Sequence, residues 1–118
     1  MKKTFLFGIF VILFSALSFA QQKKTFTIIF ETNQNDEAML MALQMKITAS
    51  VRTDGGEAAK NAEGKIGEIK PKTEGSKITV SFEVSSKKAY NDQKFCEKVR
   101  KAAEARIKDY VVKSYCGN

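Results

Sequence analysis

A chain of 118 residues with 20 Lys and Arg, 13 Asp and Glu and a net charge of +7 has room for a single domain. It contains neither His nor Trp, so serine-hydrolase triads, Cys-His proteases and His-based metal centres are excluded. The basic balance is uneven: residues 21–86 hold nine basic and nine acidic side chains, whereas residues 87–118 hold nine basic against four acidic.

The first twenty residues have the form of an export signal. Lys2 and Lys3 are followed by an almost wholly apolar stretch from Phe5 to Leu17, and Ser18-Phe19-Ala20 offers small residues where a signal peptidase reads. The expectation is a cleaved signal peptide over residues 1–20 and a mature domain over residues 21–118, in the periplasm or the medium. The apolar run is shorter than the roughly 20 residues a spanning helix needs. No later segment is apolar enough to cross a bilayer, so no transmembrane segment is expected after cleavage.

Lys24 to Glu31 reads as a strand, with Phe26, Ile28 and Phe30 alternating against Thr25, Thr27, Ile29 and Glu31. Thr32 to Asp36 offers a turn in which Asn33 or Asn35 caps a helix, with Asp36 and Glu37 in its first turn. Leu40, Leu43, Ile47 and Val51 then recur at steps of three and four and predict a helix to about Val51. A rival parse ends the helix near Met45 and starts a strand over Lys46 to Arg52. The longer helix is preferred, because a helix seldom passes into a strand without a turn.

Thr53-Asp54-Gly55-Gly56 reads as a breaker, and Glu57 to Gly64 as an exposed loop or one short helical turn. A hairpin follows. Lys65 to Lys70, interrupted by Gly67 and stopped by Pro71, has the quality of an edge strand. Lys77 to Ser85, with Ile78, Val80, Phe82 and Val84 on one face, has that of a central one. Asn91-Asp92 can cap a helix to about Lys108, whose apolar stripe is Phe95, Val99, Ala102, Ala103 and Ile107. Glu97 to Lys101 and Glu104 to Lys108 stand at the four-residue spacing of helical ion pairs. Tyr110 to Tyr115 reads as a closing strand.

The order strand, helix, strand, strand, helix, strand is that of a ferredoxin-like α+β sandwich: βαββαβ, an antiparallel four-stranded sheet with two helices on one face. Its first and third strands are central. Cys96 and Cys116 are the only cysteines, and in an oxidising compartment they are expected to form a disulfide worth about 3 kcal/mol in the chain-entropy picture. The last strand returns toward the start of the helix before it, which brings the two together and sets Tyr110, Val112, Ser114 and Cys116 on the helix-facing side.

No residue stands out as catalytic. Glu31, Glu68 and Glu83 are the carboxylates that could meet, on the open side of the sheet, and ordinary surface charge accounts for them. The topology is shared with the RNA-recognition module, yet Thr25, Thr27, Ile29, Thr79, Ser81 and Glu83 supply no stacking platform, and nucleic acid is not an expected partner. It is shared also with small heavy-metal-associated domains, but Thr32 to Asp36 holds no sulfur where those carry Met-x-Cys-x-x-Cys. For Met39, Met41 and Met45 the expectation is core packing. The alternative is a soft-metal site for Cu(I) at Met41 and Met45, one turn apart.

The sequence therefore predicts a non-catalytic binding or accessory domain without a cofactor. Its contact surface is the basic face of the last helix, Lys94, Lys98, Lys101 and Lys108, meeting an anionic envelope component or a protein. Edge-strand pairing through Lys65 to Lys70 or Val111 to Tyr115 is a second route to a partner or a homodimer.

Overall fold

The computed structural model describes residues 22–117. The export signal expected over residues 1–20 lies outside the described residues. Four strands, β1 (Gln22–Thr32), β2 (Gly64–Glu74), β3 (Lys77–Ser86) and β4 (Val111–Gly117), form one antiparallel sheet in the order β2-β3-β1-β4. Helices α1 (Glu37–Ser50) and α3 (Asp92–Arg106) contribute to the same core, and a short α2 (Gly56–Lys60) continues from α1. The class is α+β, with β1 and β3 central as their alternation predicts.

Pairing of β1 with β3 sets Phe26 beside Phe82, Ile28 beside Val80 and Phe30 beside Ile78. All six are buried on the side that meets Leu40, Leu43, Ile47 and Val51 and, from α3, Phe95, Val99 and Ala103. Alternation sends Thr25, Thr27, Ile29 and their partners Glu83, Ser81 and Thr79 to the opposite face. Phe26, Phe82, Tyr90 and Phe95 close one end of the core with ring centroids 5.2 to 6.3 Å apart.

Both long helices start on side-chain caps. Asn91 accepts from the Lys94 amide at 2.9 Å, as expected. In α1 the cap is Asp36, which accepts from the Met39 amide at 3.1 Å, rather than Asn33 or Asn35. The end of α1 departs further from expectation. No strand begins at Lys46, and Thr53-Asp54-Gly55-Gly56 does not break the helix: Val51–Gly55 forms a π turn, and α2 carries the same chain on to Lys60. Two interactions explain it. Asp54 receives the Ser50 hydroxyl at 2.6 Å and the Arg106 guanidinium at 3.0 and 3.2 Å, so its carboxylate is satisfied without leaving the helix. A Cβ at Gly55 would lie 3.1 Å from Ile66 Cδ1, so glycine permits β2 to approach the helix there.

The strands are longer than their apolar patterns suggest. Proline does not stop β2, which continues through Pro71, opposite Val80. An edge strand leaves half its amides facing solvent, where a missing N–H costs nothing. The hairpin closes at Gly75-Ser76, with Gly75 at a φ of +59°, the left-handed backbone that a two-residue turn with glycine first requires. Where β4 pairs with β1 the register shifts between Glu31 and Thr32. Val112 falls in that irregularity and is 70% exposed, so of the residues expected on the helix-facing side of β4, Ser114 and Cys116 keep that orientation. Val111 packs on the core, as does Tyr110 from the 3₁₀ turn Lys108–Tyr110 that replaces the expected first residue of the strand.

The Cys96–Cys116 disulfide ties the second turn of α3 to the end of β4, with Cα atoms 6.3 Å apart. It joins the last edge strand to the helical layer. Reduction, or Cys96→Ser with Cys116→Ser, is expected to lower the unfolding free energy by about 3 kcal/mol, read from urea melts with and without reductant.

Hydrogen bonds from Arg106 and Ser50 hold the Asp54 carboxyl below the usual carboxylate range. A depressed folded-state pKa stabilises the fold above the unfolded value and loses that contribution as pH falls through the folded one. Asp54→Asn is therefore expected to cost about 1 kcal/mol at pH 7, and urea melts at successively lower pH should show wild type and variant converging in acid. A pH-independent difference would mean that shape rather than charge holds the π turn.

Candidate functional site

The outward surface of α3 follows from its helical period. Phe95, Cys96, Val99 and Ala103 face the core, so Lys94, Lys98 and Lys101 fall on the opposite side, and all three are exposed together with Lys108 in the following turn. The sequence predicted this stripe. What it did not predict is the fate of the carboxylates beside it.

Glu97 and Glu104 do not pair with Lys101 and Lys108. Both turn to Arg100, whose guanidinium lies 2.6 Å from Glu97 Oε2 and 3.4 Å from Glu104 Oε2 and donates to the Ser114 hydroxyl on β4 at 2.8 Å. Ser114 donates in turn to Glu104 Oε1 at 3.0 Å. The Arg100 side chain is only 14% exposed. A planar guanidinium in that half-enclosed site can satisfy two carboxylates and a hydroxyl at once, which a flexible, well-hydrated ammonium cannot. Among the described residues Lys94, Lys98, Lys101 and Lys108 form no ion pair. The stripe is more basic in three dimensions than its spacing implied.

The methionines also differ from expectation. Met39 packs at the edge of the core, but Met41 is 57% and Met45 66% exposed. The stripe Leu40, Leu43, Ile47 and Val51 already fills the buried side of α1, and Met41 and Met45 lie across the helix from it. They share that side with Ala38, Ala42 and Ala49, all exposed. Thus α1 is apolar on both sides, and periodicity alone identified only the inner one.

The three carboxylates considered for the open face do not converge. Glu68 and Glu83 line one shallow groove with Thr25, Lys70 and Ser81, but Glu31 stands opposite Lys77 and is not among its lining residues. Glu83 also contacts Lys23 at 3.9 Å, and Glu68 contacts Lys70 at 3.9 Å. Among the described residues no three Cys, Asp or Glu side chains are grouped to hold a metal ion, and no helix is long and apolar enough to cross a membrane.

The lysine stripe of α3 and the outer Met/Ala band of α1 lie on helices that pack side by side and carry chemistry not spent inside the described residues. No family model matches this chain, and no curated protein does.

Proposed function

We propose that this protein is a small exported, non-catalytic binding domain that docks on an anionic component of the envelope through Lys94, Lys98, Lys101 and Lys108. The observation that carries the reading is the capture of Glu97 and Glu104 by Arg100, which leaves four neighbouring ammonium groups without an ion pair among the described residues. The fold suits the role. Read from the β4 edge, the strand order supports a ferredoxin-like βαββαβ arrangement, with the helical layer as one broad face and the disulfide fixing its rim. A signal peptide over residues 1–20 and a periplasmic or secreted location belong to the same proposal, consistent with a paired Cys96 and Cys116.

The test is retention of the exported protein on heparin and on anionic vesicles across a salt series. A lysine near an anionic bilayer contributes about 1 kcal/mol, so Lys→Gln at the four positions is expected to weaken binding by about a hundredfold or more and to flatten its salt dependence. Retention unchanged by the four substitutions, or none in the wild type, overturns the proposal.

A second reading is favoured by one observation, the exposure of Met41 and Met45 one turn apart. Two accessible thioethers on one helix face suit Cu(I) in an oxidising compartment. Titration with Cu(I) under a competing chelator should then give saturable one-to-one binding that Met41→Leu with Met45→Leu abolishes. The absence of saturable binding removes this reading.

A further inference from the structure

The outer side of α1 is a surface without a partner in the chain, and its composition is unusual for a solvated helix. Over Ala38, Met41, Ala42, Met45 and Ala49 it offers no charge, and the two largest side chains are 57% and 66% exposed. A helix that is apolar all round is ordinarily buried on every side. Here one side meets the sheet and the other meets solvent.

What can cover it is decided by its surroundings. The Gln44 amide oxygen accepts from the Thr73 hydroxyl at 2.6 Å, which turns that flank of α1 toward the β2 edge. The opposite flank, which carries Lys46, therefore faces α3, an orientation matched by the Asp54 to Arg106 bridge between the ends of the two helices. Crossing the helical layer from the β2 side, one meets the Met/Ala band, then Lys46, then the stripe of Lys94, Lys98 and Lys101. Lys46 is exposed and, like the stripe, has no ion pair among the described residues.

We infer that the helical layer docks on an anionic lipid bilayer, with Met41 and Met45 entering the headgroup region while Lys46, Lys94, Lys98 and Lys101 contact lipid phosphates. The inference rests on the anionic docking proposed above and names its partner. An apolar band edged by ammonium groups along its α3 side, with Glu37 at its start one turn before Met41, is close to the composition of an interfacial helix, here divided between two neighbouring helices. Methionine is unbranched and polarisable and adapts to an irregular apolar boundary. A second copy fits less well, because covering the band with an antiparallel α1 would set the two lysine stripes against each other. A soluble polyanion would use the lysines and leave the methionines in water.

The experiment compares the exported protein with Met41→Glu/Met45→Glu, Met41→Leu/Met45→Leu and the four-lysine variant from the preceding test. Each is floated with vesicles of 30% phosphatidylglycerol in phosphatidylcholine, run on heparin, and checked for folding by its melting temperature. The glutamate pair is expected to lose vesicle binding at least tenfold while keeping much of its heparin retention, and the leucine pair to bind vesicles as the wild type does. A single Met45→Trp reporter should show blue-shifted emission with vesicles and none with heparin.

Vesicle binding undiminished in the glutamate pair but lost in the lysine variant overturns the insertion and leaves the electrostatic site standing. Heparin retention without vesicle binding does the same and points to an acidic polymer or protein. Loss of both ligands in the wild type overturns both readings. A concentration-dependent dimer in sedimentation, abolished by the glutamate pair, would make the band an interface between copies and overturn the lipid assignment.

Discussion

The pairing of β1 with β3 is the constraint on which the remaining structure depends. Its register runs without interruption from Gln22 opposite Ser86 to Glu31 opposite Lys77. Because side chains alternate, a slip of one residue would turn either Phe26, Ile28 and Phe30 of β1 or Ile78, Val80, Phe82 and Val84 of β3 out to solvent. At about 1.5 to 3 kcal/mol for each large apolar side chain buried, a one-residue slip is not accessible. Irregularity is relegated to the edges, with one shift in β2 between Ile66 and Ile69 and another where β4 meets β1 near Thr32. The shift in β2, with Pro71 and the lysines along that strand, sets its edge apart from β4, which keeps a regular register with β1 from Lys113 to Gly117.

The parts of the fold that were legible in the sequence are those set by local periodicity. β1 and β3 declared themselves by clean alternation, α3 by its apolar stripe and Asn91 cap, and the disulfide by the antiparallel return of β4 beside α3. The misreadings share one cause, a partner distant in sequence. Thr53-Asp54-Gly55-Gly56 has the composition of a breaker, yet Arg106 reaches Asp54 from 52 residues away and Ile66 packs where a side chain on Gly55 would crowd it. Val112 was assigned to the helix-facing side by counting in twos, and a register shift defeats such counting.

The candidate site was legible in part for the same reason. The positions of Lys94, Lys98 and Lys101 follow from helical spacing. Their unpaired state does not, because it depends on Ser114 of β4 helping to hold Arg100 between Glu97 and Glu104. On α1, Leu40, Leu43, Ile47 and Val51 fully account for a buried stripe, so nothing in the period draws attention to what lies across the helix. Methionine compounds the difficulty, being as usual in a core as on an adaptable surface. Which of the two it does here is fixed by the rotation of α1 on the sheet.

The two broad faces of the molecule carry charge in different ways. On the open side of the sheet, and along its β2 edge, cations and carboxylates lie within ion-pair distance: Lys23 with Glu83, Lys70 with Glu68, and Lys72 with Glu74 at 3.0 Å. Paired charges at a surface largely cancel beyond a few ångströms and project little field. On the helical side, Arg100 holds Glu97 and Glu104, and among the described residues Lys94, Lys98, Lys101 and Lys108 form no ion pair. Arg100 with Glu97 and Glu104 sums to one negative charge, so with the four lysines the face keeps a net positive charge that projects outward. Since salt screens such a field over about 8 to 10 Å at physiological ionic strength, it can steer and hold only a surface that comes into close contact. The Met/Ala band beside the lysines provides apolar area for that contact, with Glu37, one turn before Met41, as the carboxylate at its start.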